Sequence, residues 1–331
     1  MHAPVIYTDS LYGEEEIRET VLLDLMQTAA VQRLKGVLQH GITGLLGITS
    51  MTSRFDHSMG VMILARRLGA PLKEQIAALL HDISHTAFSH VIDYVVGAHN
   101  EQSYHEEVKE EYLHSSDVPA VLERHGYNWR DFLDEAAYPI LEQPAPALCA
   151  DRLDYFFRDS VDLGLASHEQ VIQAAASLVV NNGRVGVQDV EIARWMGYTF
   201  MAADDLSWSN FREVGLYELA AQAIREGIRA GILTEEDFWG TDADVWGRLA
   251  SARNPGVDEL VKLVDTRTQF YWDEQEPTFY VRTKIRTIDP DVLVDGEFVP
   301  LSQLDPEFGR QRQQYVERKN GTWPVRADAV R

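Results

Sequence analysis

Apolar residues recur three and four positions apart along most of this chain, the period of a helix with one buried face. Leu22, Leu25, Met26 and Ala29 share such a face within the proline-free run 14–39. Val61, Leu64, Ala65 and Leu68 form the next stripe, predicting a helix over 56–68 that ends at Gly69-Ala70-Pro71. The same reading predicts helices over 73–84, 101–114, 147–161, 169–180, 190–206, 210–230 and 242–250, with shorter pieces in 128–143. Gly41, Gly44 and Gly47 mark a loop between the first two stripes. Alternating apolar and polar positions over 278–285 predict a strand. Asn182-Gly183 between valine-rich flanks, and Asp295-Gly296 within 292–299, predict two tight hairpins. The expected fold class is mostly α, with strands gathered towards the C-terminal end.

Composition narrows the class. The chain has 331 residues, 45% of them hydrophobic and 25% charged, so it can bury a core without disulfides. There are 52 acidic and 30 basic residues, a net charge of −22. That charge argues against broad adhesion to nucleic acid or anionic membrane, but permits a locally positive pocket. Cys149 is the single cysteine, which excludes an intrachain disulfide and a CxxC zinc site. Met1-His2-Ala3-Pro4 does not read as the start of a secretory signal, so none is expected, and no apolar run approaches a membrane span. The expected location is the cytoplasm, with no membrane partner.

Histidine is unevenly spread: nine of eleven lie between His40 and His125. His57 falls in line with a core stripe and, taken alone, reads first as a buried structural histidine. The apolar run Ile76-Ala77-Ala78-Leu79-Leu80 leads into His81-Asp82. A buried ionised aspartate needs compensation, and a divalent cation ligated by carboxylate and imidazole supplies it. A lone His-Asp pair also occurs at ordinary helix ends. Here, however, His81, His85 and His90 place three histidines within ten residues. Downstream, Asp151, Tyr155 and Asp159 share a helical face, while Asp154 and Arg158 read as surface support at i, i+4. His2, His114, His125 and His168 read as ordinary residues. Tyr94, Trp129, Trp195, Trp208, Trp239 and Trp246 read as core.

Four pieces stand in order: Arg54-Phe55-Asp56-His57-Ser58, His81-Asp82, His105-Glu106 and Asp151-Arg152-Leu153-Asp154-Tyr155. Over about residues 24–162 this order resembles the HD-domain metal-dependent phosphohydrolases, and within them the deoxynucleoside triphosphate triphosphohydrolase branch. The resemblance implies an HD-domain helical fold with a small C-terminal β-rich subdomain. The catalytic core would span 1–180, and a helical extension with strands 181–331. It implies that His57, His81, Asp82 and Asp151 ligate one divalent ion (Mn, Fe, Mg, Co, Ni or Zn). His85, His90, His105 and Glu106 would be the catalytic set on the phosphate side, with His90 or His105 as general acid. Gln39, Arg54, Arg152, Tyr155 and Asp159 would bind substrate, and a later arginine of the family falls at Arg212.

The implied reaction converts a dNTP to deoxynucleoside and triphosphate, in a chain that self-associates as family members commonly do. The alternatives are a phosphatase for nucleoside monophosphates or other phosphate esters, and a nucleotide sensor or scaffold without turnover. The alarmone-hydrolase pattern HDxxED is absent, since the chain reads His81-Asp82-Ile83-Ser84-His85, and so is a GYP-type motif. His81→Ala or Asp82→Ala should abolish metal-dependent hydrolysis and leave the fold largely intact.

Overall fold

Ser53-Arg54-Phe55-Asp56 starts a helix by reciprocal capping. The Ser53 hydroxyl accepts from the Asp56 N–H while the Asp56 carboxylate accepts from the Ser53 N–H. The resulting helix, Arg54–Arg67, is buried along most of its length and packs on Leu72–Leu80 and Ala150–Asp162. Gly60 permits the second contact: a Cβ there would stand 2.1 Å from Arg158 Nη2 and Asp154 Oδ1. These three helices form the centre of a computed structural model that describes residues 3–97 and 102–328.

Several expected elements change form. The run 14–39 is not one helix. It opens as the second strand of a hairpin, Val5–Asp9 with Gly13–Ile17, and continues as helices Thr20–Met26 and Ala29–Arg33. Asp9 turns the hairpin by accepting from the Leu11 and Tyr12 N–H groups, and Gly13 supplies a φ of +77°. Thr28 breaks the helical run by capping a new start, its hydroxyl accepting from Val31 N–H. The helix expected over 101–114 is two helices, Tyr104–Glu107 and Lys109–Ser115; Glu101 lies outside the described residues. The strand expected over 278–285 pairs only at Phe279–Val281. Helices Pro255–Leu263 and Pro306–Lys319 were not anticipated, although Asn254 and Asp305 cap them just before a proline.

Both predicted hairpins form, with positive φ at Asn182, Gly183, Asp295 and Gly296. They join into a four-stranded sheet through a parallel pairing of Val187 with Val292. A second sheet places Trp323–Asp328 between Gln269–Trp272 and Phe279–Val281, all antiparallel. Among the described residues no helix is long and apolar enough to cross a membrane.

Two hydrophobic cores result. One surrounds the Arg54–Arg67 helix, and the other gathers on Phe211–Arg229 with Ile42, Phe88 and Ile92; both take residues from before and after position 180. Asp242 links the C-terminal helices to two earlier loops. Its buried carboxylate accepts from Leu38 N–H at 2.9 Å and Phe88 N–H at 2.6 Å. Phe88 and Ser89 both have positive φ, a costly backbone form that neighbouring structure must impose. Asp242→Ala would leave two backbone donors without an acceptor. The expected loss is about 2–4 kcal/mol in urea unfolding, and an unchanged midpoint would show that Asp242 is not the link.

Candidate metal centre and active site

The helix Leu72–Leu80 ends just before His81, so His81 to Ser84 turn into the space beside Arg54–Arg67. There, side chains from three parts of the chain meet. His57 Nε2 lies 2.9 Å from Asp151 Oδ1, 3.3 Å from His81 Nε2 and 3.7 Å from Asp82 Oδ2. His81 Nε2 lies 3.5 Å from both Asp82 Oδ1 and Asp151 Oδ1. Ligand bonds of about 2.1 Å at right angles would separate donors by about 3 Å, so His57, His81 and Asp151 fit one small divalent cation, with Asp82 beside them.

Hydrogen bonds fix the tautomers. His81 Nδ1 meets the Ala78 carbonyl at 2.8 Å, and a carbonyl only accepts, so Nδ1 carries a proton and Nε2 is the nitrogen left to face a cation. His57 Nδ1 meets Asp154 Oδ2 at 2.7 Å, with the same consequence. Asp154 in turn accepts from Arg158 Nε at 2.8 Å, and Arg158 Nη2 reaches Asp9 at 2.7 Å. Asp154 and Arg158 are buried, not the surface pair the spacing suggested. Burial opposes charge on the two histidines, but Asp82, Asp151 and Asp154 outweigh it: His57 is shifted up, and His81 up to about 10. Asp82 stays well below the usual carboxylate range despite burial, because Arg54 lies beside it.

A second group adjoins the first. His85 Nε2 is 3.2 Å from Asp82 Oδ1, and the His85 ring stacks on His105 with centroids 4.0 Å apart. His90 stands edge-on to both rings and holds Asp93 at 3.1 Å through Nδ1. Burial pushes all three imidazoles down, His85 to about 3, with Arg54 adding to the effect, so they are neutral near pH 7. Asp82, His85 and His105 also lie close enough to share a cation, but the Arg54 guanidinium, 2.7 Å from Asp82, disfavours a second one there.

An HD domain model matches residues 54–159. The chain is 40% identical to the metal-dependent phosphohydrolase cns2 of Cordyceps militaris, over 94% of this chain and 92% of that protein. The chain belongs to the HD-domain metal-dependent phosphohydrolases. An uncharacterized Bacillus subtilis protein, YdhJ, is 34% identical over 96% of this chain and 97% of its own. The deoxynucleoside triphosphate triphosphohydrolase SAMHD1 of Danio rerio is 25% identical, over 49% of this chain and 34% of that protein. A phosphohydrolase from Bacteroides thetaiotaomicron shares the fold with a TM-score of 0.67 at 16% identity, covering 99% of this chain and all of the other. The fold is the helical one expected, with small sheets in the C-terminal part, and the family requires a divalent metal ion.

In this phosphohydrolase both groups line one cavity of about 280 Å³. Gln39, Arg54, Arg152, Tyr155 and Asp159 line it too, as does Glu106 from an exposed position at the rim. Their partners differ. Arg152 spends its guanidinium on the Gln143 and Ala147 carbonyls and on Glu142. Asp159 accepts from His40 at 2.9 Å and from Trp208 Nε1 at 2.6 Å. Gln39 Oε1 is buried without a partner among the described residues. Arg212 does not reach the cavity; it donates to the Thr266 carbonyl.

Sequence reasoning passed over His40, Lys284 and Arg286, and it assigned Tyr94 and Trp208 to the core although both line the cavity. Trp208 stands edge-on to Tyr155 at 5.1 Å, forming an aromatic wall. Only His40 carried a signal, its place in the histidine-dense region. His125 pairs with Asp24 and His168 with the Leu11 carbonyl, away from the cavity; His2 lies outside the described residues.

Proposed function

We propose that this phosphohydrolase acts on nucleotides and converts a dNTP to deoxynucleoside and triphosphate. The observation that carries the reading is one cavity holding a cation-sized set of imidazole and carboxylate donors next to three neutral imidazoles. In this reading His57, His81, Asp82 and Asp151 hold the ion. When bound, the ion supplies positive charge to phosphate oxygens and lowers the pKa of water. His85, His90 and His105 offer N–H groups to phosphate oxygens, where charge grows in the transition state. Attack of water at the α-phosphorus breaks its bond to the 5′ oxygen, which must take a proton as it leaves. His90 or His105 supplies that proton, having been raised from its low starting basicity by the arriving anion. Tyr155 and Trp208 face the sugar and base, and Gln39 Oε1 accepts a hydrogen bond from them.

The partial similarity to triphosphohydrolases supports this branch. The test is a panel of dNTPs, NTPs and monophosphates under several divalent ions, manganese included, with products identified. Deoxynucleoside plus triphosphate is expected. Orthophosphate from monophosphates only would favour the phosphatase alternative. No turnover by the loaded, folded protein would favour a sensor.

Metal binding should also release protons. Without the ion, the surrounding carboxylates shift His57 towards its protonated form and raise His81 to about 10, so His81 is protonated at pH 7. The His81 proton favours the metal-free fold fully below about 6.5, and that contribution is lost as pH rises through about 10. A cation competes with the same proton, so its apparent affinity should rise across that window. Calorimetry in two buffers of different ionisation enthalpy reads the release directly. A dissociation constant independent of pH between about 6 and 9 would contradict it.

A further inference from the structure

Four basic side chains line the cavity, and they differ in what they hold. Arg54 is committed to Asp82 at 2.7 Å and to Ser89 Oγ at 3.0 Å. Arg152 is committed to Glu142 and two carbonyls. Arg286 donates only to neutral acceptors, Gln102 Oε1 and the Lys284 carbonyl. The Lys284 ammonium makes no hydrogen bond or ion pair with any described residue, and the residue keeps part of its surface exposed. Two neighbouring cations therefore lack a carboxylate partner in a protein of net charge −22. The same cavity is lined by Glu106, Glu135 and Glu142, so the lack does not come from a shortage of anions nearby.

Arg286 is also held in place. The Arg286 backbone N–H donates to the buried Asp204 carboxylate at 3.2 Å, while its side chain is braced by Gln102. Partial burial and the Arg286 charge push the Lys284 ammonium down, a like-charge strain that an anion would relieve. Both line the same cavity as His90, and both charges act on that histidine. Both also come from the segment after Phe279–Val281, far outside the matched residues 54–159. The attacked phosphate already has the ion and three imidazoles. A second cationic pair has no work to do for a substrate with one phosphate.

We infer that Lys284 and Arg286 form an anion subsite for a phosphate other than the one attacked, so that the substrate is a polyphosphate whose chain runs from the metal donors past His90 to this pair. The inference rests on the nucleotide phosphohydrolase reading and selects within it.

The experiment compares wild type with Lys284→Gln, Arg286→Lys and Arg286→Gln, each checked for an unchanged unfolding midpoint. Two readouts are taken on the metal-loaded protein. The first is the ratio of kcat/KM for a dNTP to that for the matching dNMP. The second is calorimetric binding of inorganic tripolyphosphate and of orthophosphate, which needs no turnover. The subsite predicts at least a tenfold fall in tripolyphosphate affinity, with the ratio falling through KM. Orthophosphate affinity should change far less. Equal losses for both anions, or none for tripolyphosphate, would overturn the subsite. If wild type turns over no nucleotide but binds tripolyphosphate through this pair, the catalytic reading fails and the subsite stands.

Discussion

His81→Ala is expected to lower metal-dependent hydrolysis by about 10³-fold or more, equivalent to about 4 kcal/mol of transition-state stabilisation, while the chain stays folded. His81 Nε2 lies within 3.5 Å of the His57, Asp82 and Asp151 donor atoms, and its Nδ1 bond to Ala78 leaves Nε2 as the ligating nitrogen. Truncation leaves three donors and a gap lined by carboxylates that now repel one another. The matching change at Asp82 should not behave alike. Asp82 also neutralises the buried Arg54, so Asp82→Ala strands a guanidinium, at a cost of about 3–5 kcal/mol. The sequence alone treats the two variants alike. Metal content, turnover and urea unfolding, measured on both, separate the two effects. Full turnover by His81→Ala in metal-stripped buffer would remove the basis for the metal centre.

What could be read in the sequence was local. His81, Asp82 and His85 stand within one helical turn, and the Ser53 to Asp56 cap needs no tertiary partner to be recognised. The two hairpins were legible because Asn-Gly and Asp-Gly tolerate the positive φ that such turns require. Misreadings arose where burial depended on distant chain. Asp154 and Arg158 at i, i+4 look like any solvated pair until Asp9, from the N-terminal hairpin, reaches Arg158. That hairpin was itself hidden, because Glu14-Glu15-Glu16 continues a helical charge pattern while its pairing with Val5–Asp9 is set by the Asp9 turn. Lys284 and Arg286 alternate like exposed strand residues. Nothing local shows that pairing with Trp323–Asp328 stops at Val281, leaving them free to line a cavity.

The buried chain Asp9–Arg158–Asp154–His57 should have the largest effect on stability, and it reaches the metal donors. In Asp154→Asn the shape is kept but one carboxylate oxygen becomes an amino group. Asp154 Oδ2 accepts from both His57 Nδ1 and Arg158 Nε. An amino group at that position would face two donors. Turning the amide leaves its oxygen to serve both at once, now without charge. His57 Nδ1 then keeps only a neutral, shared acceptor, so its proton is held less firmly on Nδ1 and metal affinity should fall by about 10–100-fold. Asp154→Ala goes further, since it removes the countercharge of a buried arginine that Asp9 alone must then balance. The expected loss is about 3–5 kcal/mol. Arg158→Met should cost a similar amount for the opposite reason, leaving two buried carboxylates facing each other. The double variant should then cost less than the sum of the two, because each single change strands what the other removes. Urea unfolding of the three variants and metal titration of Asp154→Asn measure both halves. Strict additivity would mean that Asp154 and Arg158 do not act as a unit. An unchanged metal affinity in Asp154→Asn would mean that the His57 tautomer is set by something other than this carboxylate.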